Sequence, residues 1–136
     1  MLDVGTGTGI LAMVAYKLGL REVVMLDHDL QCVRVANANL QINGCRHLKA
    51  IEADFKGYES KMRFDFVAAN LLTEDLISFR RKLVSMVNPG KYLAISGISL
   101  TNYRRLKNEF RQLPLRCLKM IKGKSWVAIL LQRLEG

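Results

Sequence analysis

Three glycines stand at every second position near the start of the chain, directly after a short apolar run. The run, Met1–Val4, contains one acid, Asp3, and the glycines are Gly5, Gly7 and Gly9. An apolar stretch with helical character follows. Glycines between a strand and a helix let the backbone approach a ligand, and the helix N-terminus offers unbonded N–H groups. The spacing therefore indicates a ligand-binding loop, with a nucleotide as the expected class of ligand.

Two common nucleotide motifs do not match this loop. The dinucleotide fingerprint Gly-x-Gly-x-x-Gly fails, because Ile10 stands where the third glycine is required. The Walker motif fails, because no Gly-Lys-Ser/Thr follows. The pattern that remains is Asp-x-Gly-x-Gly-x-Gly over residues 3–9.

This pattern resembles the first motif of class I S-adenosylmethionine-dependent methyltransferases. Asp27 ends the second apolar run, 22 residues after Gly5, where an acid accepts the hydroxyls of a ribose. Asp54 follows the third run, where such enzymes place an acid near the adenine amino group. The resemblance implies S-adenosyl-L-methionine as cofactor, admitted by Gly5, Gly7 and Gly9, with Asp3 bracing the loop. Helix capping remains the alternative for Asp27, and turn formation the alternative for Asp54.

The fourth apolar run, Phe64–Ala69, is followed by Asn70, Leu71 and Leu72. Methylation of an amine requires a neutral nitrogen whose lone pair points at the sulfonium methyl group. An amide oxygen and a neighbouring backbone carbonyl can accept the protons of the amine, and orientation of this kind lowers a barrier by about 7–11 kcal/mol. We therefore predict that Asn70 and the Leu71 carbonyl orient an amine. Thr73 is the predicted cap of the next helix, and the alternative for Asn70 is a turn residue.

Several stretches together resemble the PrmA family, which methylates lysine and N-terminal amines of large-subunit ribosomal protein eleven. They are LDVGTGTGIL, NANLQING, Asn-Leu-Leu, VNPGKYLAISGI and KSWVAILLQR, and they cover nearly the whole chain. The resemblance implies N-methylation of a protein amine, with a ribosomal protein as partner. It also implies that a separate substrate-recruiting domain is missing, so we expect residues 1–136 to be a single cofactor-binding methyltransferase domain.

The distribution of charge supports a second hypothesis. Residues 1–79 hold 8 basic and 10 acidic residues, a net of −2, whereas residues 80–136 hold 13 basic and 2 acidic residues, a net of +11. A basic half favours an acidic partner, so an RNA or tRNA methyltransferase, or an RNA contact through residues 80–136, is an alternative. The other explanation of this charge distribution is that the basic side chains only solvate exposed faces. The alternative from another functional class is a non-catalytic module that binds the cofactor.

The elements that must position these residues alternate between strand and helix. Strands are predicted over Met1–Val4, Val23–Leu26, Leu48–Ile51, Phe64–Ala69, Lys91–Gly97, Leu115–Ile121 and Trp126–Gln132; helices are predicted after Gly9 and over Leu30–Ile42, Thr73–Val87 and Thr101–Gln112. This order predicts an α/β fold: a doubly wound, mostly parallel, Rossmann-like seven-stranded sheet with a C-terminal antiparallel hairpin. Asn88-Pro89-Gly90 is predicted to stop the helix over Thr73–Val87. Tyr92 and Trp126 are predicted core residues.

The remaining composition excludes other classes of protein. No stretch approaches the roughly 20 apolar residues of a membrane span, so no membrane is expected. The three cysteines, Cys32, Cys45 and Cys117, form no Cys-x-x-Cys pair, and neither histidine stands at ligand spacing from them. These features predict reduced thiols, a cytoplasmic protein and no metal site.

Overall fold

The computed structural model describes residues 1–136, with seven strands and four helices. The predicted α/β class with a seven-stranded mixed sheet is confirmed. The chain divides into two compact units, Met1–Glu59 and Ser60–Gly136. The longest helices have 13 residues, and none of the four is long and apolar enough to cross a membrane.

The first unit contains three parallel strands and two helices. The strands are β1 (Leu2–Val4), β2 (Val24–Asp27) and β3 (Ala50–Glu52), in the order β3-β2-β1; the helices are α1 (Ile10–Lys17) and α2 (Leu30–Ile42). Residues at helical spacing on α2 pack with α1 and the strands in one apolar cluster, which includes Ala12, Met25, Val33, Ala36, Leu40 and Ala50. Because the strands are parallel, their carboxyl ends and the loops that follow lie at the same edge.

The second unit contains four strands: β4 (Phe64–Asn70), β5 (Val87–Ser99), β6 (Leu115–Lys122) and β7 (Trp126–Arg133). They form a mixed sheet in the order β4-β5-β7-β6. β4 and β5 are parallel, whereas β7 is antiparallel to both β5 and β6. The predicted C-terminal hairpin is therefore confirmed, since a connection of three residues cannot join parallel strands.

Both helices of the second unit lie on one face of this sheet. They are α3 (Thr73–Ser85) and α4 (Tyr103–Phe110). Leu106 and Phe110 of α4 line one crevice together with Ile95, Ile129 and Leu131 of the sheet. The guanidinium of Arg133 donates to the carbonyl of Val84 in α3 and to that of Val87 at the start of β5. Residues on the opposite face are left without a helix from this unit.

The prediction that Tyr92 and Trp126 are core residues is wrong. Tyr92 is 38% exposed and Trp126 is 57% exposed. Tyr92 pairs with Gln132, the neighbour of the inward-facing Leu131, and Trp126 precedes the inward-facing Val127. Since successive side chains of a strand point to opposite faces, both aromatic rings project from the face opposite α3 and α4.

Asn88-Pro89-Gly90, the predicted stop of α3, lie inside β5: α3 already ends at Ser85, and β5 begins at Val87 and not at the predicted Lys91. The pairing of β4 with β5 shifts register here, from Phe64 opposite Val87 to Phe66 opposite Tyr92. Gly90 has φ +75°. A bulge thus accommodates the proline, and the strand continues through it.

Candidate functional site

The glycine loop joins β1 to α1 in the first unit. Its three glycines have φ values of 71°, 57° and 82° in chain order, a region that only glycine adopts at little cost. The N–H groups of Gly5 and Thr6 both donate to the carbonyl of Leu26 at 2.9 Å. The loop is therefore anchored to β2 as a preformed curve of backbone.

The loop glycines differ in what surrounds them. A Cβ on Gly9 would lie 3.1 Å from Cε of Met25 and 3.4 Å from Cβ of Ala36, so Gly9 lets the start of α1 pack closely on β2 and α2. A Cβ on Gly7 would meet nothing within 4 Å. The space beside Gly7 is open, which is where a ligand can approach the backbone.

Asp3 lies in β1 and is 1% exposed. Oγ1 of Thr6 donates to Oδ2 of Asp3 at 2.7 Å, so the carboxylate braces the loop. Burial raises the pKa of Asp3; the Thr6 hydrogen bond and the nearby N–H of Ala12 oppose this rise, and the charge of Asp27 adds to it. The other oxygen, Oδ1, is buried without a hydrogen-bond partner. An unpaired buried acceptor is costly and fits a ligand that brings a donor.

Asp27 ends β2 and is 6% exposed. Its Oδ2 accepts the N–H of Gly7 at 2.9 Å, and its Oδ1 accepts the N–H of Asp29 at 3.0 Å. An ionised carboxylate has about four acceptor positions, so two remain for hydroxyl donors. The helix-capping alternative does not hold for Asp27, because Asp29 caps α2 by accepting the N–H of Gln31 at 2.8 Å.

Asp54 follows β3 and is exposed. Its Oδ1 accepts the N–H of Lys56 at 2.9 Å, and its carbonyl accepts from Gly57 at 3.1 Å and Tyr58 at 2.9 Å. Asp54 thus forms a turn, which was the alternative role predicted for this residue from the sequence. The turn lies at the carboxyl end of β3, at the same edge as the glycine loop. Its role near an adenine stays a prediction.

In the second unit, Asn70 ends β4 with an exposed side chain, and the N–H of Leu71 donates to the carbonyl of Ser96 at 3.3 Å. The structure brings the two predicted acceptors together beside Gly97. A Cβ on Gly97 would lie 3.0 Å from Oδ1 of Asn70 and 2.4 Å from the carbonyl oxygen of Leu71. The amide and the carbonyl therefore form one small cluster of acceptors.

Gly97 is the residue of this cluster that the sequence analysis does not identify. It has φ +84°, and the pairing of β5 with β7 shifts register between Ile95 and Ile98. A side chain here would collide with the Leu71 carbonyl. The available signal was an isolated glycine inside a strand pattern, which marks a bulge or a close approach of backbone.

The prediction that Thr73 caps α3 is wrong. The N-cap is Leu72, without a side-chain hydrogen bond, and Thr73 is the first helical residue, 5% exposed. Glu74 and Asp75 occupy the first turn, where acids compensate the helix dipole. Thr73 is thus buried inside the helix, whereas Asn70 lies outside it and keeps its side chain exposed.

The glycine loop, the acid at the end of β2 and the alternating α/β fold define a class I S-adenosylmethionine-dependent methyltransferase. The family model described as ribosomal protein L11 methyltransferase (PrmA) matches residues 1–134. The chain belongs to this family. The resemblance drawn from the sequence is confirmed.

Relatives and a solved structure agree with this assignment. The ribosomal protein L11 methyltransferase of Geobacter metallireducens is 37% identical over 134 residues, covering 97% of this chain and 43% of that protein. The same enzyme of Geotalea uraniireducens is 35% identical over 130 residues, covering 93% and 40%. The crystal structure of the ribosomal protein L11 methylase of Lactobacillus delbrueckii subsp. bulgaricus has a TM-score of 0.90 at 25% identity, covering 98% and 69%. The chain spans less than half the length of these two curated relatives.

Proposed function

We propose that the chain is the catalytic part of an S-adenosylmethionine-dependent N-methyltransferase that acts on a protein amine. The observation that carries the proposal is the pairing of Asn70 Oδ1 with the Leu71 carbonyl beside Gly97. Two neutral acceptors at one strand end suit the N–H groups of an amine. Family membership supports the same reaction and suggests ribosomal protein L11 as the substrate.

The first unit supplies the proposed cofactor site. The open backbone at Gly7 and the unpartnered Oδ1 of Asp3 both fit a ligand with polar donors. We assign the ribose hydroxyls to Asp27, the adenine amino group to Asp54 and the methionine end to the glycine loop. When bound, S-adenosylmethionine supplies a methyl group on a positively charged sulfur.

Asn70 and Leu71 act in this proposal by orientation. Their oxygens accept N–H bonds from the substrate amine and hold its lone pair in one direction. Neither an amide nor a carbonyl takes up a proton at neutral pH. The substrate ammonium therefore loses its proton to water first, and the amine reaches the cluster in its neutral form. A carboxylate here would favour the charged ammonium instead.

Residues 1–136 are proposed to act as a single cofactor-binding domain, with substrate choice depending on sequence outside this region. The relatives are more than twice as long, since this chain covers 43% and 40% of them. An RNA substrate or partner is the second candidate function. The net charge of +11 over residues 80–136 favours it.

Calorimetry on the chain tests the cofactor assignment. We expect S-adenosylhomocysteine to bind and NAD to give no heat. Binding of NAD without any response to S-adenosylhomocysteine contradicts the proposal. A chain that binds the cofactor but transfers no methyl group, even with a family recruiting domain fused to it, is a binding module.

A methylation assay then separates the two substrates, using purified ribosomal protein L11 and ribosomal RNA fragments in parallel. Methyl transfer to the protein alone supports a protein amine, and transfer to RNA alone supports the second candidate. Phosphate contacts would show as a log–log salt dependence of about −0.7 per contact on single strands. Charge reversal of Arg104, Lys107 and Arg111 to Glu would weaken such binding and leave the cofactor site unchanged.

A further inference from the structure

β6 is the edge strand of the second unit and pairs only with β7. Seven of its eight residues are exposed. The N–H of Gly123 donates to the carbonyl of Trp126 at the turn. Antiparallel pairs alternate between bonded and non-bonded, so Ile121 directs its backbone groups toward β7, whereas Met120 and Lys122 direct theirs outward. The edge therefore offers backbone donors and acceptors to an added strand.

A crevice opens between α4 and β6 on the helix-bearing face of the sheet. Its volume is about 240 Å³. The lining is mainly apolar and includes Leu106, Phe110, Leu115, Cys117, Ile129 and Leu131. Lys107 of α4 and the C-cap Arg111 also border it, and both are exposed. We call this site the α4–β6 crevice.

Basic side chains surround the α4–β6 crevice. Arg104 and Lys107 of α4 and its C-cap Arg111 stand three and four residues apart, so they share one side. On β6, Lys122 is exposed and lies opposite the inward-facing Val127. The crevice and its border thus combine apolar depth with positive charge.

Acids that could neutralise this charge are engaged elsewhere. Residues 100–136 contain only two, Glu109 and Glu135. Glu109 pairs with Arg80 at 3.0 Å, and Glu135 lies beside Gly90. A partner at this edge must therefore bring negative charge, which disfavours a second copy of the same basic strand.

We propose that β6 and the α4–β6 crevice form a docking site for an extended acidic peptide segment. Such a segment adds as a strand beside β6, with backbone hydrogen bonds giving affinity and pockets for alternate side chains giving specificity. Because side chains of a strand alternate between faces, every second residue of the segment can place an apolar group in the crevice. Acids among the same alternate residues pair with Lys107 and Arg111, because the residues between them point to the opposite face. The inference goes beyond the proposed function and does not depend on it.

Single-stranded RNA fits this face less well. Sequence-tolerant RNA binding uses aromatic rings that are open for stacking. Two rings line the crevice: Phe110 is buried, and Nζ of Lys122 already lies 5.4 Å from the centroid of Tyr103. The free strand edge and the apolar crevice have no use in phosphate recognition.

The test uses the whole chain and a dye-labelled peptide that repeats Ile-Ser-Asp-Ser, so that Ile and Asp share one face of the strand, with an Ile-Ser-Lys-Ser peptide as the charge control. We expect fluorescence anisotropy to show saturable binding of the acidic peptide only. The double variant Lys107→Glu with Arg111→Glu is expected to weaken binding at least about tenfold, or 1.4 kcal/mol. The matched control, Arg46→Glu with Lys49→Glu, changes two exposed bases of the first unit and is expected to leave binding unchanged.

Cys117 gives an independent readout, because its thiol is free, exposed and part of the crevice lining. We expect the acidic peptide to slow alkylation of Cys117, measured by mass spectrometry, and not that of Cys32. Met120→Pro removes an outward N–H and is expected to weaken binding with the fold retained by circular dichroism. If that variant unfolds, the charge reversal and Cys117 protection still decide the outcome.

Three results would overturn the proposal. The first is equal binding of the acidic and basic peptides. The second is protection of Cys117 by an octauridine RNA but not by the peptide, which assigns the surface to nucleic acid. The third is protection of Cys117 by rising chain concentration alone, with a dimer in sedimentation, which assigns it to a second copy.

Discussion

The two units use glycine for different purposes at their strand ends. In the first unit, a run of glycines with positive φ keeps a loop open beside Gly7, where a ligand meets the backbone itself. In the second unit, the single Gly97 lets the protein's own Leu71 carbonyl and Asn70 amide come close. The charges differ as well: 6 basic and 7 acidic residues in the first unit, 15 and 5 in the second. In the ligand site, the space beside glycine stays open for the ligand. In the acceptor cluster, the missing side chain of glycine leaves room for the protein's own carbonyl and amide groups.

The largest expected effect comes from Gly97→Ala. The new Cβ would stand 2.4 Å from the Leu71 carbonyl oxygen, so the strand end must shift and methyl transfer is expected to disappear. Stability should fall by about 1–3 kcal/mol in urea titrations, the range for a forced backbone conformation. Affinity for S-adenosylhomocysteine is expected to stay within about twofold, since about 0.4 kcal/mol is the scale of indirect effects.

The control for this variant is Gly44→Ala. Gly44 also has a positive φ, +70°, but a Cβ there would meet nothing within 4 Å. Only the left-handed backbone cost of about 1 kcal/mol is then expected. Equal losses for the two variants would show that crowding at Leu71 has no role.

Asn70→Ala is expected to lower methyl transfer about 100-fold, the scale for one preorganised polar group. Cofactor affinity should not change, because Asn70 belongs to the amine cluster and not to the glycine loop. Asn102→Ala is the matched control, since this asparagine of the same unit makes no capping bond. Full turnover by Asn70→Ala would reduce Asn70 to a turn residue.

Asp27→Ala and Asp29→Ala sharpen the comparison inside the first unit. Asp27→Ala should weaken S-adenosylhomocysteine binding by about 1–3 kcal/mol, the scale for hydrogen bonds to a charged acceptor. Asp29→Ala removes the cap of α2 and should cost about 1 kcal/mol of stability with little change in affinity. Calorimetry and thermal unfolding distinguish the two. The reverse pattern would assign the cofactor contact to Asp29.

The smallest expected effect is the pH dependence caused by Asp3. Burial raises the pKa of Asp3 in the folded chain above its value in the unfolded chain, which is about 3.9. At a pH between these two pKa values, the folded chain binds more protons than the unfolded chain. Stability contributed by this group therefore falls as pH rises through that window and is level above it. Asp3→Asn should remove this slope in urea titrations at several pH values. Asp75→Asn, on the exposed start of α3, is the control, and an unchanged slope in Asp3→Asn would contradict the assignment.

Local sequence was sufficient for the order of elements and for α2, whose predicted bounds Leu30–Ile42 match the structure. Its apolar residues recur at helical spacing and Asp29 precedes them, so the information lies within one segment. The acceptor pair at Asn70 and Leu71 was predicted for the same reason, since it directly follows an apolar strand. Thr73 was mispredicted because its burial depends on what packs around the start of α3.

By itself, the sequence determined the glycine loop with its positive φ values, the acids that follow β2 and β3, and the family to which the chain belongs. Those features depend on residue spacing along the chain and not on tertiary packing around them. Tertiary structure alone decided that Gly97 stands against Leu71, that Pro89 lies in a bulge of β5, and that Tyr92 and Trp126 are exposed. The physical reason is register: each of these outcomes depends on which residue of a distant strand lies opposite, and on which sheet face the helices cover.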